Sequence, residues 1–205
     1  MKNLLNKSIS LIILLPICML FFSFKPIPTN SISDFSLKNV DGKMVSTTDY
    51  MDAKGFIIIF TCNHCPFAKL YSERLNDLNT KYSKLNVPVF AINSMDELLY
   101  KEESFEMMQQ KAKKDKFNYP YLHDADQKIG QLFGTEHTPT AYVIWKQDAE
   151  WVVKYTGSID DNGEQPDIAN PFVANAVDDL LEGKQVSNPF TESFGCRIFY
   201  RAPKE

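Results

Sequence analysis

The run Phe56-Ile57-Ile58-Ile59-Phe60-Thr61 is the feature that most constrains this chain. It is apolar without a break and rich in β-branched residues, so it offers no polar face to water. A segment of that kind suits a strand buried on both faces, as in a parallel or mixed sheet covered by helices. Cys62-Asn63-His64-Cys65-Pro66 follows at once. Beyond it Phe67, Tyr71, Leu75, Leu78, Tyr82 and Leu85 recur at helical spacing, with Lys69, Glu73 and Asp77 on other faces. Pro88 then opens a second apolar strand, Val89-Phe90-Ala91-Ile92, at a place where a missing N–H is tolerated. Strand, helix and strand succeed one another, with the cysteines at the first junction.

The flanking segments extend this unit. Phe35–Leu37 and Met44–Ser46 bracket Asp41-Gly42, a hairpin signal. A charged helical stretch runs from about Glu102 to Asp115, and a shorter one from about Ala125 to Phe133. Ala141–Trp145 and Trp151–Tyr155 read as a second hairpin, and Ile168–Leu181 as an amphipathic helix stopped by Gly183. The expected architecture is α/β, with a mixed central sheet flanked by helices, an N-terminal β-hairpin, and a C-terminal helix plus tail.

With 205 residues, 44% hydrophobic and 23% charged, the composition excludes a disordered chain, a collagen-like fibre and a multi-span membrane protein. A net charge of −4 argues against nucleic-acid partners. Lys2 and Lys7 precede an apolar run over residues 9–24, and no acid appears before Asp34. That is the pattern of a secretory signal, or of an N-terminal membrane anchor if it is not cleaved. The expected organisation is a signal or anchor over residues 1–25, a linker over 26–33 and one domain over 34–205, placed in the periplasm or cell envelope. Cys18 lacks the small preceding residue that lipoprotein processing prefers, since Leu15-Pro16-Ile17 stands before it.

Cys62 and Cys65 carry the chemistry. At a strand-to-helix junction Cys62 is expected at the helix N-terminus, where unpaired N–H groups and the dipole favour a thiolate. A dipole worth roughly 0.3–2 kcal/mol moves a thiol pKa by about one unit, so further lowering needs direct hydrogen bonds or a positive charge. His64, when protonated, supplies part of it. Cys65, one turn on, can close or resolve a disulfide with Cys62. Two other readings stand beside this one. A structural disulfide in so small a ring would staple nothing distant. A metal site could use Cys62, Cys65 and either His64 or His137, although no second Cys/His pair completes a zinc ribbon. His123 and His137 read as loop residues, Cys196 as a resolving or merely packed thiol, and Asp160 and Asp161 as a turn or cap.

Phe60-Thr61-Cys62-Asn63-His64-Cys65-Pro66 makes the chain resemble the thioredoxin-fold redoxins, in particular a peroxiredoxin-like subgroup related to AhpC/TSA proteins. The resemblance runs from Asp34 to about Arg201. It includes Ala91-Ile92-Asn93, Gly134-Thr135-Glu136-His137-Thr138-Pro139-Thr140, Ile159-Asp160-Asp161-Asn162 and Gly195-Cys196. It implies that Pro139 is a cis-proline facing the cysteine pair, and that the backbone of Thr138 aligns a substrate chain. Two departures stand out. Phe56 occupies the place of the buried carboxylate that thioredoxins carry before the pair. The threonine that peroxiredoxins place three residues before their reactive cysteine is replaced by Cys62 relative to Cys65, and by Ile59 relative to Cys62. Arg74, Arg197 and Arg201 fall outside the expected supporting strand.

The expectation is an exported thiol–disulfide oxidoreductase. Cys62 exchanges disulfides with a protein partner, Cys65 resolves, His64 assists, and Thr138 and Pro139 shape the groove. It needs no cofactor or metal, and it draws on a separate redox partner. The alternatives are a copper-handling protein using Cys62, Cys65 and His137, or an atypical peroxidase.

Overall fold

The computed structural model describes residues 31–202. The expected signal or anchor, and with it Cys18, lies outside the described residues. The chain forms β1 (Ser31–Ile32), β2 (Ser36–Asn39), β3 (Met44–Ser46) and β4 (Gly55–Phe60), then α1 (Pro66–Lys69), α2 (Ser72–Tyr82) and β5 (Val89–Asn93). It continues through α3 (Phe105–Lys114), β6 (Tyr121–His123), α4 (Lys128–Phe133), β7 (His137–Thr138), β8 (Thr140–Gln147), β9 (Glu150–Gly157), α5 (Phe172–Leu181) and β10 (Cys196–Arg197).

The main sheet has the order β1-β9-β8-β4-β5-β6-β2-β3. β5 runs parallel to β4 and to β6, and the remaining neighbours are antiparallel, so the sheet is mixed as expected. β4 lies fully buried between β5 and β8, and its side chains divide by the two-residue period of a strand. Ile57 and Ile59 pack with Leu75 and Tyr82 of α2 and Val173 and Val177 of α5. Phe56, Ile58 and Phe60 face the opposite layer, among Phe35, Phe90, Phe133 and Trp151. Each such side chain withdrawn from water stabilises the fold by about 1.5–3 kcal/mol. That is why the run shows no polar alternation.

Several boundaries differ from the sequence reading. Ser31–Ile32 pairs with Val152 and Trp151 of β9, so the folded body already includes the end of the expected linker. The helix after the cysteines is interrupted: the N–H groups of Leu70 and Tyr71 bond three residues back, to Phe67 O and Ala68 O, each at 3.2 Å. Phe67 therefore turns outward and meets Phe194 of the tail edge-on at 5.7 Å instead of entering the core. His123 belongs to β6 rather than a loop. It is stacked on Phe105, and burial holds its imidazole pKa below the usual range. Asp160 is a buried anchor. It pairs with Arg74, accepts from the Tyr71 hydroxyl at 3.0 Å, and closes its own turn by accepting from Asn162 N–H at 2.9 Å. Burial and the Asp160 charge push the Tyr71 phenol up to about 12.

Candidate active site

β4 ends at Phe60, and the next residues cross above the sheet. Cys65, not Cys62, is the N-cap of the first helix, and Pro66 takes the first helical position, where its missing N–H costs nothing. The expectation that placed Cys62 at the helix start was therefore one turn early. Both cysteines are fully buried, and the three described cysteines, Cys62, Cys65 and Cys196, are free thiols. The Thr138–Pro139 peptide is cis, and Thr138 bridges the pair. Its hydroxyl lies 3.0 Å from Cys62 Sγ, and its carbonyl accepts from Cys65 Sγ at 3.3 Å.

The carboxylate absent at Phe56 arrives from elsewhere. Glu103, wholly buried, accepts from the N–H of Asn63 at 2.9 Å, from the N–H of His64 at 2.8 Å and from Asn93 Nδ2 at 2.7 Å. The imidazole Nδ1 of His64 stands 2.6 Å from its Oε1, and the ring stacks on Tyr100 at 4.4 Å. Asn63 is pinned further by Tyr121, whose hydroxyl donates to Asn63 Oδ1 at 2.9 Å. One carboxylate thus fixes the backbone between the cysteines. Sequence reasoning missed it because Glu103 lies in a charged stretch that reads as a solvated helix face. Asn93, in contrast, stood in a recognisable motif whose role is now visible.

These contacts separate the two thiols. Donation from Cys62 lowers the Cys65 pKa most; the Cys196 thiol and the N–H groups of Ala68 and Cys196 lower it further, and together they outweigh burial to bring it to about 4. Cys62 moves up, because it holds the shared proton toward Cys65, is buried, and faces the Glu103 charge; the Thr138 hydroxyl opposes this only in part. Cys65 is therefore the more acidic thiol of the two, whereas the expected place at the helix start favoured Cys62, and the contact of Cys65 with Thr138 O belongs to its protonated form.

This has a signed consequence for pH. From about pH 4 up to the ordinary thiol range, the folded reduced pair holds one proton fewer than the unfolded chain, so stability rises with pH. Above that range the unfolded chain has lost the proton that folded Cys62 still keeps, and stability falls. The stability difference between the reduced protein and its Cys62→Ala/Cys65→Ala variant is expected to peak near pH ~8.5, with thiolate absorbance persisting down to about pH 4. A difference independent of pH, measured by urea unfolding, would refute this charge assignment.

Of the remaining residues named from sequence, His137 pairs with Arg197 in the small β7–β10 sheet. The cluster of ligand-capable groups among the described residues is Cys62, His64 and Glu103, their atoms within 4.8 Å of one another, and it excludes His137. Arg74 is committed to Asp160, and Arg201 lies 3.6 Å from Asp96. Among the described residues no helix is long and apolar enough to cross a membrane.

A mixed sheet with flanking helices, a cysteine pair at the end of a central strand and a cis-proline beside it define a thioredoxin-fold redoxin. Residues 28–158 match the AhpC/TSA family, and the chain belongs to it. Among solved structures it is similar to an uncharacterized conserved protein from Geobacillus kaustophilus, with 32% identity over 86% of this chain and 93% of that one, at a TM-score of 0.74. It is also similar to a hypothetical protein from Sinorhizobium meliloti 1021, with 29% identity over 85% and 95% of the two chains, at 0.76. An exposed lipoprotein thioredoxin from Streptococcus pneumoniae, 19% identical over 74% of this chain and 99% of its own, shares the fold at 0.53. Comparison with curated proteins gave no match.

Proposed function

We propose that the chain is an exported thiol–disulfide oxidoreductase acting on a protein partner through Cys62 and Cys65. The observation that carries this is the pair itself: two buried free thiols bridged by Thr138 beside a cis-proline. In the reducing direction, Cys65 as thiolate attacks a partner disulfide, forming a mixed disulfide and releasing one partner thiolate. Cys62 then gives up its proton to that departing sulfur and attacks Cys65 Sγ. The Cys62–Cys65 bond forms, the mixed bond breaks, and the partner leaves with one thiol and one thiolate, which takes a proton from water. Run backwards, the same steps oxidise a dithiol, and a second redox protein restores the starting state. Glu103 and His64 hold the intervening backbone in place, and Thr138 and Pro139 line the approach. Export rests on the basic start and the apolar run over residues 9–24.

The copper reading gains nothing from His137, which stands apart from the converging groups, while Glu103 is occupied by N–H donors. Reduction of insulin by the full chain tests the proposal. Cys62→Ser and Cys65→Ser are each expected to bring turnover to background, and unchanged turnover in either variant would end this reading.

A further inference from the structure

After α5 the chain returns to the cysteines and lies across them. β10 runs antiparallel to β7, with Cys196 opposite Thr138 and Arg197 opposite His137. Ile198 N–H donates to Glu136 O at 2.8 Å, and the Tyr200 hydroxyl donates to Thr135 O at 2.6 Å. Gln127 ties down the next residues, donating to Phe199 O at 3.0 Å and accepting from Arg201 N–H at 2.9 Å. Ile198 is buried in one cluster with Cys62, Cys65 and Met95, and Cys196 borders it. Close approach depends on Gly195, where a Cβ would fall 2.0 Å from Thr138 O.

The backbone edge of Thr138, beside Cys65, is thus occupied by this chain's own strand. That strand presents a cysteine at the position facing Thr138, packed against the cluster that contains Cys65. A partner chain pairing with the same edge would present its sulfur in the same place.

We propose that Cys196 is a third redox-active cysteine, carried on a built-in substrate strand, which exchanges with the oxidised pair to form a Cys65–Cys196 disulfide. Cys196 gives up its thiol proton and attacks Cys65 Sγ of the Cys62–Cys65 disulfide. The Cys65–Cys196 bond forms, the Cys62–Cys65 bond breaks, and the electron pair leaves on Cys62, which takes up a proton. One disulfide replaces another, so no outside oxidant or reductant is consumed. The exchange frees Cys62 while the tail is covalently held over the site. This inference rests on the proposed redox use of Cys62 and Cys65.

Disulfide mapping tests it. The full chain as Cys18→Ser, and with Cys62→Ser or Cys65→Ser added, is oxidised with diamide, which takes two electrons and two protons from a thiol pair. It is then alkylated, digested without reductant and analysed by mass spectrometry. The Cys62→Ser chain is expected to give a Cys65–Cys196 linked peptide within the monomer, with near-complete loss of both free thiols. The Cys65→Ser chain is expected to give no Cys62–Cys196 link, and finding one would overturn the assignment to Cys65. If the parent forms Cys62–Cys65 while the Cys62→Ser chain keeps both thiols free, the tail cysteine has no redox role and the proposed function stands. If the parent forms no disulfide either, both readings fall.

Discussion

Glu103→Ala is expected to cost about 3–5 kcal/mol of folding stability, the range seen when one member of a buried charged network is removed. Three groups that now donate to the carboxylate, Asn63 N–H, His64 N–H and Asn93 Nδ2, would be left buried without a partner, and His64 would lose its contact. With a urea slope of about 1–3 kcal/mol/M for a domain of this size, the midpoint should fall by at least 1 M or so. Glu103→Gln separates charge from contacts. It keeps one acceptor oxygen but removes the negative charge that helps to hold the Cys62 thiol up, so the Cys62 pKa should drop in this variant. A loss below about 1 kcal/mol in Glu103→Ala would mean that solvent reaches these donors and that the carboxylate does not organise the loop.

The contrast between Glu103 and β4 shows what the sequence made legible. β4 was readable because burial on both faces leaves a local mark, an unbroken apolar run, and because the cysteines follow within the same stretch. The hairpins around Asp41-Gly42 and across 146–150 were readable for the same reason: turn chemistry and β-branched flanks lie next to each other. Glu103 left no such mark. Its role depends on Asn63 and His64, 40 and 39 residues away, and a glutamate beside Glu102 looks like any solvated acid. β7 and β10 are two-residue strands, too short for a period to show, and their pairing exists only because the tail folds back. Even the local error in placing the helix start has a local cause. Pro66 fixes the first helical position, which makes Cys65, rather than Cys62, the residue at the helix start.

Gly195→Ala is expected to loosen the tail without unfolding the domain. The added Cβ would meet Thr138 O at 2.0 Å, Thr138 C at 2.7 Å and Pro139 N at 3.2 Å. All three are backbone atoms of a segment bonded to both cysteines, so a side-chain rotation cannot relieve the clash. Two responses remain: the Thr138 loop moves off the cysteines, or β10 moves off the loop. The second is cheaper. β10 contributes two residues to a two-stranded sheet, whereas Thr138 is buried and leads directly into β8, at the centre of the main sheet. Overpacking of this kind costs about 1–3 kcal/mol, and charged to a local opening it multiplies the open population roughly 5- to 150-fold. The alkylation rate of the Cys62–Cys65 pair by iodoacetamide should rise by that factor, because Ile198 of the tail is buried against both, while the partly exposed Cys196 should gain less. The urea midpoint should move far less than in Glu103→Ala. Faster alkylation of Cys196 alone would show that the tail does not shield the pair. Unchanged rates at all three cysteines would show that Gly195 is not what lets the tail close over the site.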